Sequence, residues 1–111
     1  MTADELKAWA LGNGWTVIAG HPSLTKPQPM SRKGPAEAVV RMVLKATVVH
    51  VEAKKPAGKW EKLSGESYGK VVADEETGVP LGLGLETIPG FRMLMQENRD
   101  RQVFAGMGGK G

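Results

Sequence analysis

The two histidines of this chain are its most versatile chemical groups, but neither lies in a pattern typical of a catalytic or metal site. A metal site needs three or four convergent ligands, and the sequence offers no such set around His21 or His50. A serine–histidine–aspartate triad could be assembled only from Ser67, His50 and Asp74. Ser67 lacks the sharp strand-to-helix turn that exposes a catalytic serine. We therefore expect no catalytic residue and no bound metal.

Glycine-rich segments and cysteines, which could hold a cofactor, give no site either. The segment Gly82-Leu83-Gly84 lacks the third glycine and the following helix of a dinucleotide-binding motif. Residues 106–111 hold a lysine among glycines, but they lack the preceding strand and following helix of a phosphate-binding loop. The absence of cysteine excludes disulfides, thiolate metal ligands and a cysteine nucleophile. The sequence therefore predicts a non-enzymatic protein without a cofactor.

Lysines interspersed with aromatic residues form the strongest binding pattern in the chain. Five lysines lie near two aromatic residues, namely Lys54, Lys55, Lys59, Lys62 and Lys70 beside Trp60 and Tyr68. On neighbouring strands, such residues can stack nucleic-acid bases and neutralise phosphates. No RNP-like motif, zinc finger or helix-turn-helix accompanies them. A nucleic-acid-binding module built on a basic β-meander over residues 41–70 is therefore one hypothesis.

Methionines expected at the surface favour a second hypothesis, a protein partner. Flexible thioether side chains adapt to different partners, and this applies to Met30, Met93, Met95 and Met107. By analogy with small non-catalytic proteins of mobile elements, we expect an inhibitor or adaptor that contacts a larger, nucleoprotein type of complex. The predicted partner-binding residues are Lys54, Lys55, Lys59, Trp60, Lys62, Tyr68, Lys70, Met93 and Met95.

The length and the charge distribution of the chain indicate a single domain with a basic centre. At 111 residues the chain has the size of one domain, and its apolar runs are too short to span a bilayer. The net charge of +3 is concentrated in residues 26–70, which carry ten cations and four anions. Such a basic centre attracts phosphates or acidic protein surfaces. Acidic residues stand where a signal peptide has basic ones, so we expect a cytoplasmic protein.

The N-terminal segment has the pattern of a capped helix followed by a strand. Thr2 and Glu5 form a capping-box pair, and apolar residues recur at helical spacing over residues 6–10. Gly-Asn-Gly at residues 12–14 is expected to end the helix. Residues 15–19 are rich in aromatic and β-branched types and are predicted as a strand. Trp9 of the helix and Trp15 of this strand are both expected in the core.

Prolines predict a long surface loop after this strand. Residues 20–35 contain four of the seven prolines, which fix φ and remove hydrogen-bond donors. A central strand is therefore not expected in this segment. Loops of this length in compact domains tend to be functional or disordered.

Residues 36–54 fit two alternative patterns. In a helix, they would form a polar stripe of Glu37, Arg41 and Lys45. In a strand, they would share one apolar face made of Val40, Met42, Leu44, Ala46 and Val48. The β-branched residues at 47–51 favour strand for the second half, and we favour strand for the first half too.

A turn at residues 55–58 (Lys-Pro-Ala-Gly) should return the chain as an antiparallel strand over residues 59–64. Charge pairing decides the expected register, because like charges directly opposite each other repel. The preferred register places Glu52 opposite Lys59, His50 opposite Glu61, Val51 opposite Trp60 and Val48 opposite Leu63. It moves the apolar face from even to odd positions near Val49, which predicts a β-bulge there.

The rest of the chain is predicted as further strands and a terminal element. We expect a turn at residues 64–67, a strand at 68–73, a hairpin turn at 74–78 and a strand at 79–86. A short helix from Phe91, or alternatively a hairpin over residues 91–104, should follow.

The predicted fold is therefore a single α+β domain over residues 1–105, with an N-terminal helix packed on an antiparallel β-meander. Residues 106–111 are expected to form a flexible tail. The predicted core contains Leu6, Trp9, Val17, Met42, Leu44, Val48, Leu63, Val71 and Leu94.

Overall fold

The computed structural model describes residues 1–26 and 36–108, with side chains described as far as Gln102. In chain order the helices and strands are α1 (Ala3–Leu11), β1 (Thr16–Ile18), β2 (His21–Thr25), β3 (Ala38–Leu44), β4 (Val48–Lys54), β5 (Trp60–Ser67), β6 (Val72–Ala73), β7 (Pro80–Leu81) and α2 (Phe91–Gly108). Strands β1 to β5 form one antiparallel sheet in sequence order, and β6 pairs with β7. The predicted α+β fold with an N-terminal helix, a meander and a C-terminal helix is confirmed.

The N-terminal helix follows the prediction closely. The Thr2 hydroxyl accepts a hydrogen bond from the Glu5 backbone N–H (3.1 Å), and the Glu5 carboxylate accepts one from the Thr2 N–H (2.8 Å). This reciprocal capping box satisfies two donors that the first turn leaves free. These bonds also hold the pKa of Glu5 below its usual value. The helix ends at Leu11, and Gly12 caps it.

The segment predicted as a proline-rich loop begins with a strand instead. β2 occupies residues 21–25 and lies between β1 and β3, so the exclusion of a central strand was wrong. Pro22 is tolerated because it lies near the start of β2, opposite Val17 of β1, before pairing with β3 begins at Ser23. Residues 27–35 of the predicted loop lie outside the described residues.

Residues 36–54 form two strands rather than one. β3 and β4 are joined by a tight turn in which the Lys45 N–H donates to the Val48 carbonyl (2.9 Å). The helical alternative for this segment was wrong. The turn also explains why the apolar face moves from even to odd positions. Met42 of β3 is directly opposite Val51 of β4, and both side chains are fully buried.

The predicted register between β4 and β5 was wrong by three to four residues. Lys54 pairs with Trp60 and Val51 pairs with Ser64, because the connecting loop lies one to two residues later in the chain than the predicted register requires. This loop spans residues 55–59 and is closed by the Lys55 N–H, which donates to the Lys59 carbonyl (2.8 Å). A register shift does occur, but it lies between Val51 and Glu52 rather than near Val49.

The segment after β5 contains less strand than predicted. Residues 64–67, predicted as a turn, belong to β5, and residues 68–70 form a 3-10 turn rather than a strand. The hairpin at residues 74–78 is confirmed, and its turn is held by the Asp74 carboxylate. That carboxylate accepts from the backbone of Thr77 (2.9 Å) and Glu76 (2.8 Å), which lowers the pKa of Asp74. The strand predicted at 79–86 shrinks to β7 and a second 3-10 turn.

The C-terminal element is a helix, and the alternative hairpin over residues 91–104 was wrong. α2 has 18 residues and is longer than the short helix predicted. It includes the first residues of the predicted flexible tail, and residues 109–111 lie outside the described part.

The core joins both helices to one face of the sheet. Leu6, Met42 and Val71 are buried as predicted, and Trp9, Leu44 and Leu94 are partly buried against the core. Val17 and Leu63 were predicted wrongly, since they are 44% and 42% exposed, and Val49 rather than Val48 points into the core. Trp15 is 1% exposed and its ring contacts those of Trp9 and Phe91 at 5.8 and 6.3 Å between centroids.

A buried side-chain amide attaches α2 to the sheet. The Asn98 Oδ1 accepts from the N–H and the hydroxyl of Thr25 (3.0 and 2.9 Å), and its Nδ2 donates to the Thr25 carbonyl (3.1 Å). Nδ2 also donates to the Leu94 carbonyl (2.8 Å). Asn98 thus pairs with the peptide groups of Thr25 as a neighbouring strand would, at the point where β1 no longer reaches.

Replacing Asn98 by alanine should lower the free energy of unfolding by about 2–4 kcal/mol, because the buried N–H and hydroxyl of Thr25 would lose their acceptor. Urea denaturation of the variant and wild type measures this loss. Gln96→Ala, an exposed change on the same helix, is the matched control and should cost less than about 1 kcal/mol. Equal losses for the two variants would contradict this role of Asn98.

Candidate functional site

The outer face of the sheet, opposite the core, carries the polar residues of β3, β4 and β5. Alternation along the strands buries Val40, Met42, Val49 and Val51 on the inner face and places their neighbours on the outer one. Within the described residues, no hydrogen bond, ion pair or ring contact joins either helix to the outer-face side chains of these three strands. Neither described helix therefore covers this part of the sheet.

One row of directly opposed residues crosses all five strands on the outer face. It consists of Thr16, Ser23, Arg41, Glu52 and Lys62. Directly opposed side chains on neighbouring antiparallel strands are close enough to interact. The row places Arg41 next to Glu52, and their side chains form an ion pair with 2.7 Å between Nε and Oε1. Lys62 follows on the other side of Glu52, so charges alternate across the three strands.

Trp60 is the aromatic centre of this face. The guanidinium carbon of Arg41 lies 4.0 Å from the centre of the Trp60 ring, and the Lys54 ammonium lies 6.0 Å from it. Cation–π contacts of this kind contribute about 0.5–2 kcal/mol, with the higher values for desolvated pairs. Because the side chains of Arg41 and Glu52 are only 23% and 20% exposed, the stack is partly shielded from water. The ring and the guanidinium are therefore held in fixed positions.

Acidic residues neutralise several of the cations in the predicted basic patch. In addition to the Arg41–Glu52 pair, Lys54 contacts Glu37 (2.9 Å) and Lys55 contacts Glu61 (2.7 Å). The Lys55–Glu61 pair is about half exposed on both sides, so it contributes at most about 1 kcal/mol to stability. The ion pairs matter more for binding than for stability, because cations that already have a counter-charge attract an anionic ligand less strongly.

A cleft of about 280 Å³ opens beside the Arg41–Trp60 stack. Its walls combine apolar, hydroxyl and charged side chains, namely Ile18, Ala19, Ser23, Glu37, Ala38, Arg41, Lys54 and Trp60. Ala19 has a φ of 52°, a left-handed conformation that costs a residue with a Cβ about 1–2 kcal/mol. Ala19 and Gly20 form the two-residue turn between β1 and β2, and a turn of this kind requires a positive φ at both positions. The cleft therefore joins a strained turn to the charged and aromatic centre of the outer face.

The structure brings only some of the predicted contact residues together. Lys54, Trp60 and Lys62 share the outer face, whereas Lys55 and Lys59 lie in the exposed loop before β5. Lys70 is exposed in the 3-10 turn after β5.

Tyr68 has a structural contact. Its hydroxyl donates to the Lys45 carbonyl, and burial raises the pKa of its phenol.

The two methionines predicted as a contact pair are separated by burial. Met93 is 70% exposed, but Met95 is 5% exposed and belongs to the core, so its predicted surface position was wrong. Helical spacing explains the difference, because residues two positions apart point to different sides of a helix. The side chains of Met30 and Met107 lie outside the described residues.

Arg41 and its partner Glu52 were missed as candidates. The signal was present in the strand pattern, since Arg41 interrupts an apolar strand at a position facing away from the core. Only the correct hairpin between β3 and β4 places Arg41 opposite Glu52. The expected lysine-centred patch is therefore arranged around an arginine.

No protein-family model, curated protein or solved structure matches this chain. Residues 1–26 and 36–108 contain no group of three His, Cys, Asp or Glu side chains able to hold a metal ion. Within the same part of the chain, no helix combines the length and apolar character needed to cross a membrane.

His50 provides a titratable probe of this face. Partial burial, together with the charges of Lys62 and Lys45, lowers the pKa of its imidazole below the ordinary value of 6.5. The folded state therefore binds fewer protons here than the unfolded state. This contribution to stability is present above pH 6.5 and is lost as the pH falls through the folded pKa.

Lys62→Gln should raise the pKa of His50, because it removes a positive charge that disfavours the protonated ring. Titration of the His50 ring resonances by NMR measures this shift. Lys70→Gln is the matched control, since Lys70 is not among the charges that act on His50. An unchanged pKa in Lys62→Gln would contradict the arrangement of Lys62 beside His50.

Proposed function

We propose that this protein is a non-enzymatic binding protein, of the inhibitor or adaptor type, that contacts a protein partner through the outer face of β3–β5. The observation that supports this most is the stack of Arg41 on Trp60, 4.0 Å apart. Tryptophan and arginine are enriched among the residues that dominate protein–protein affinity. Side chains that are held in position before binding also lose less entropy on association. The described helices leave this face open.

The balance of charges favours a protein over a nucleic acid. Phosphate backbones are bound by cations that release counterions from the nucleic acid. Arg41, Lys54 and Lys55 each already have a carboxylate partner. A face of alternating charges around an aromatic centre is better suited to the mixed surface of a protein.

A nucleic-acid-binding module is the second candidate, and the exposed lysines outside the ion pairs support it. Among the described residues, Lys59, Lys62 and Lys70 have no carboxylate within ion-pair distance. Together they give the β5 side of the molecule a positive field. This arrangement would attract acidic protein surfaces as well as phosphates, so it does not outweigh the Arg41–Trp60 stack.

Trp60→Ala should reduce recovery of the partner at least tenfold. Truncation of a tryptophan at the centre of an interface costs about 2 kcal/mol or more of binding free energy. Tagged wild type and variant are used as baits in nuclease-treated lysate of the source cells, and captured proteins are quantified by mass spectrometry. Val72→Ala removes an exposed apolar side chain of β6, outside the five-stranded sheet, and is the matched control, with unchanged recovery.

Equal recovery by wild type and Trp60→Ala would contradict a partner site at the outer face. Capture that disappears on nuclease treatment would favour the nucleic-acid candidate. Direct binding of RNA or DNA to wild type at low salt, with a steep loss of affinity at higher salt, would do the same.

A further inference from the structure

We infer that Arg41 receives a carboxylate of the partner, supplied by an aspartate or glutamate side chain that enters the cleft beside Trp60. This inference rests on the protein-binding function proposed above and specifies the chemistry of the partner's contact. Three observations support it, concerning the position of the guanidinium, its unused donors and the charges around it.

The guanidinium of Arg41 is held before any ligand arrives. One face stacks on Trp60 at 4.0 Å, and the Nε–H donates to the Glu52 carboxylate at 2.7 Å. An arginine with free rotation loses side-chain entropy when it binds a ligand. Here the stack and the Glu52 bond have already fixed the side chain, so less of this cost remains.

The outer edge of the same guanidinium still has donors to offer. An arginine has five N–H donors, one on Nε and four on its two Nη nitrogens. Within the described residues, Glu52 is the only hydrogen-bond partner of Arg41, and it uses Nε. The two Nη groups can therefore form the paired, parallel hydrogen bonds that match the two oxygens of a carboxylate.

The surrounding charges favour a single negative charge. Glu52 pairs with Arg41 and Glu37 pairs with Lys54, so each of these two cations has a carboxylate beside it before a ligand binds. Two carboxylates repel a dianionic phosphate about twice as strongly as a partner carboxylate that carries one negative charge. The apolar walls at Ile18 and Ala38 fit the methylene groups of such a side chain.

The test selects eight-residue peptides from a random display library with wild-type protein as bait. The selected peptides should share one aspartate or glutamate. A binding peptide is then synthesised with this residue unchanged and with it replaced by the neutral amide. Both forms are titrated against wild type and Arg41→Lys, which keeps the charge but loses the paired donors.

We expect the amide peptide to bind wild type at least tenfold more weakly than the acidic peptide. For Arg41→Lys, the affinities of the two peptides should differ much less. Equal binding of both peptides to wild type would overturn the inference, and this comparison needs no variant to fold. The inference would also be overturned if Arg41→Lys preferred the acidic peptide over the amide peptide as strongly as wild type does. Displacement of the peptide by millimolar inorganic phosphate would overturn it as well.

Failure of this inference can be told apart from failure of the proposed function. Peptides that require Trp60 but no acidic residue would leave the protein-binding function standing and overturn the carboxylate contact. Selection of no peptide that distinguishes wild type from Trp60→Ala would count against both.

Discussion

The pairing of Asn98 with Thr25 determines how the two layers of this molecule are arranged. β1 has only three residues and ends before Thr25, so the buried N–H of Thr25 depends on Asn98 for an acceptor. The Asn98 amide supplies both a donor and an acceptor to that one residue. Since buried peptide groups require such partners, α2 is fixed at this edge of the sheet. Its apolar side then meets Trp15 and the inner face.

Attachment of both helices to the core side leaves the other face of β3–β5 to charged and aromatic residues. A sheet face that is open to water needs polar side chains, but it does not need a guanidinium stacked on a tryptophan. Ordering these long side chains costs conformational entropy, which the contact with Trp60 and Glu52 offsets. Their fixed geometry gives this face the properties of a binding surface.

Local patterns in the sequence predicted the parts of the fold that depend on neighbouring residues. The capping box at Thr2 and Glu5 and the turn held by Asp74 involve residues two or three positions apart, and both are confirmed. The register of β4 against β5 depends on loop length and on where a bulge forms, which charge pairing alone could not decide. A tight turn at residues 45–47 was mistaken for the interior of one strand.

The candidate site could be predicted only in part for the same reason. Trp60 was identified from its setting among lysines. The partner that stacks on it, Arg41, comes from β3, two strands away in the sheet. Met95 was misplaced because its burial depends on the orientation of α2, which Asn98 fixes through a contact distant in sequence. Contacts between distant segments therefore account for both errors.

The most direct test of the outer face as a binding surface is hydroxyl-radical footprinting of the protein alone and in complex with its captured partner. Oxidation of Trp60 and Met93 is followed by mass spectrometry in the same sample. We expect the partner to slow oxidation of Trp60 several-fold and to leave the rate of oxidation of the exposed Met93 unchanged. Protection of Met93 with no protection of Trp60 would contradict it, because the partner would then cover α2 instead of the sheet.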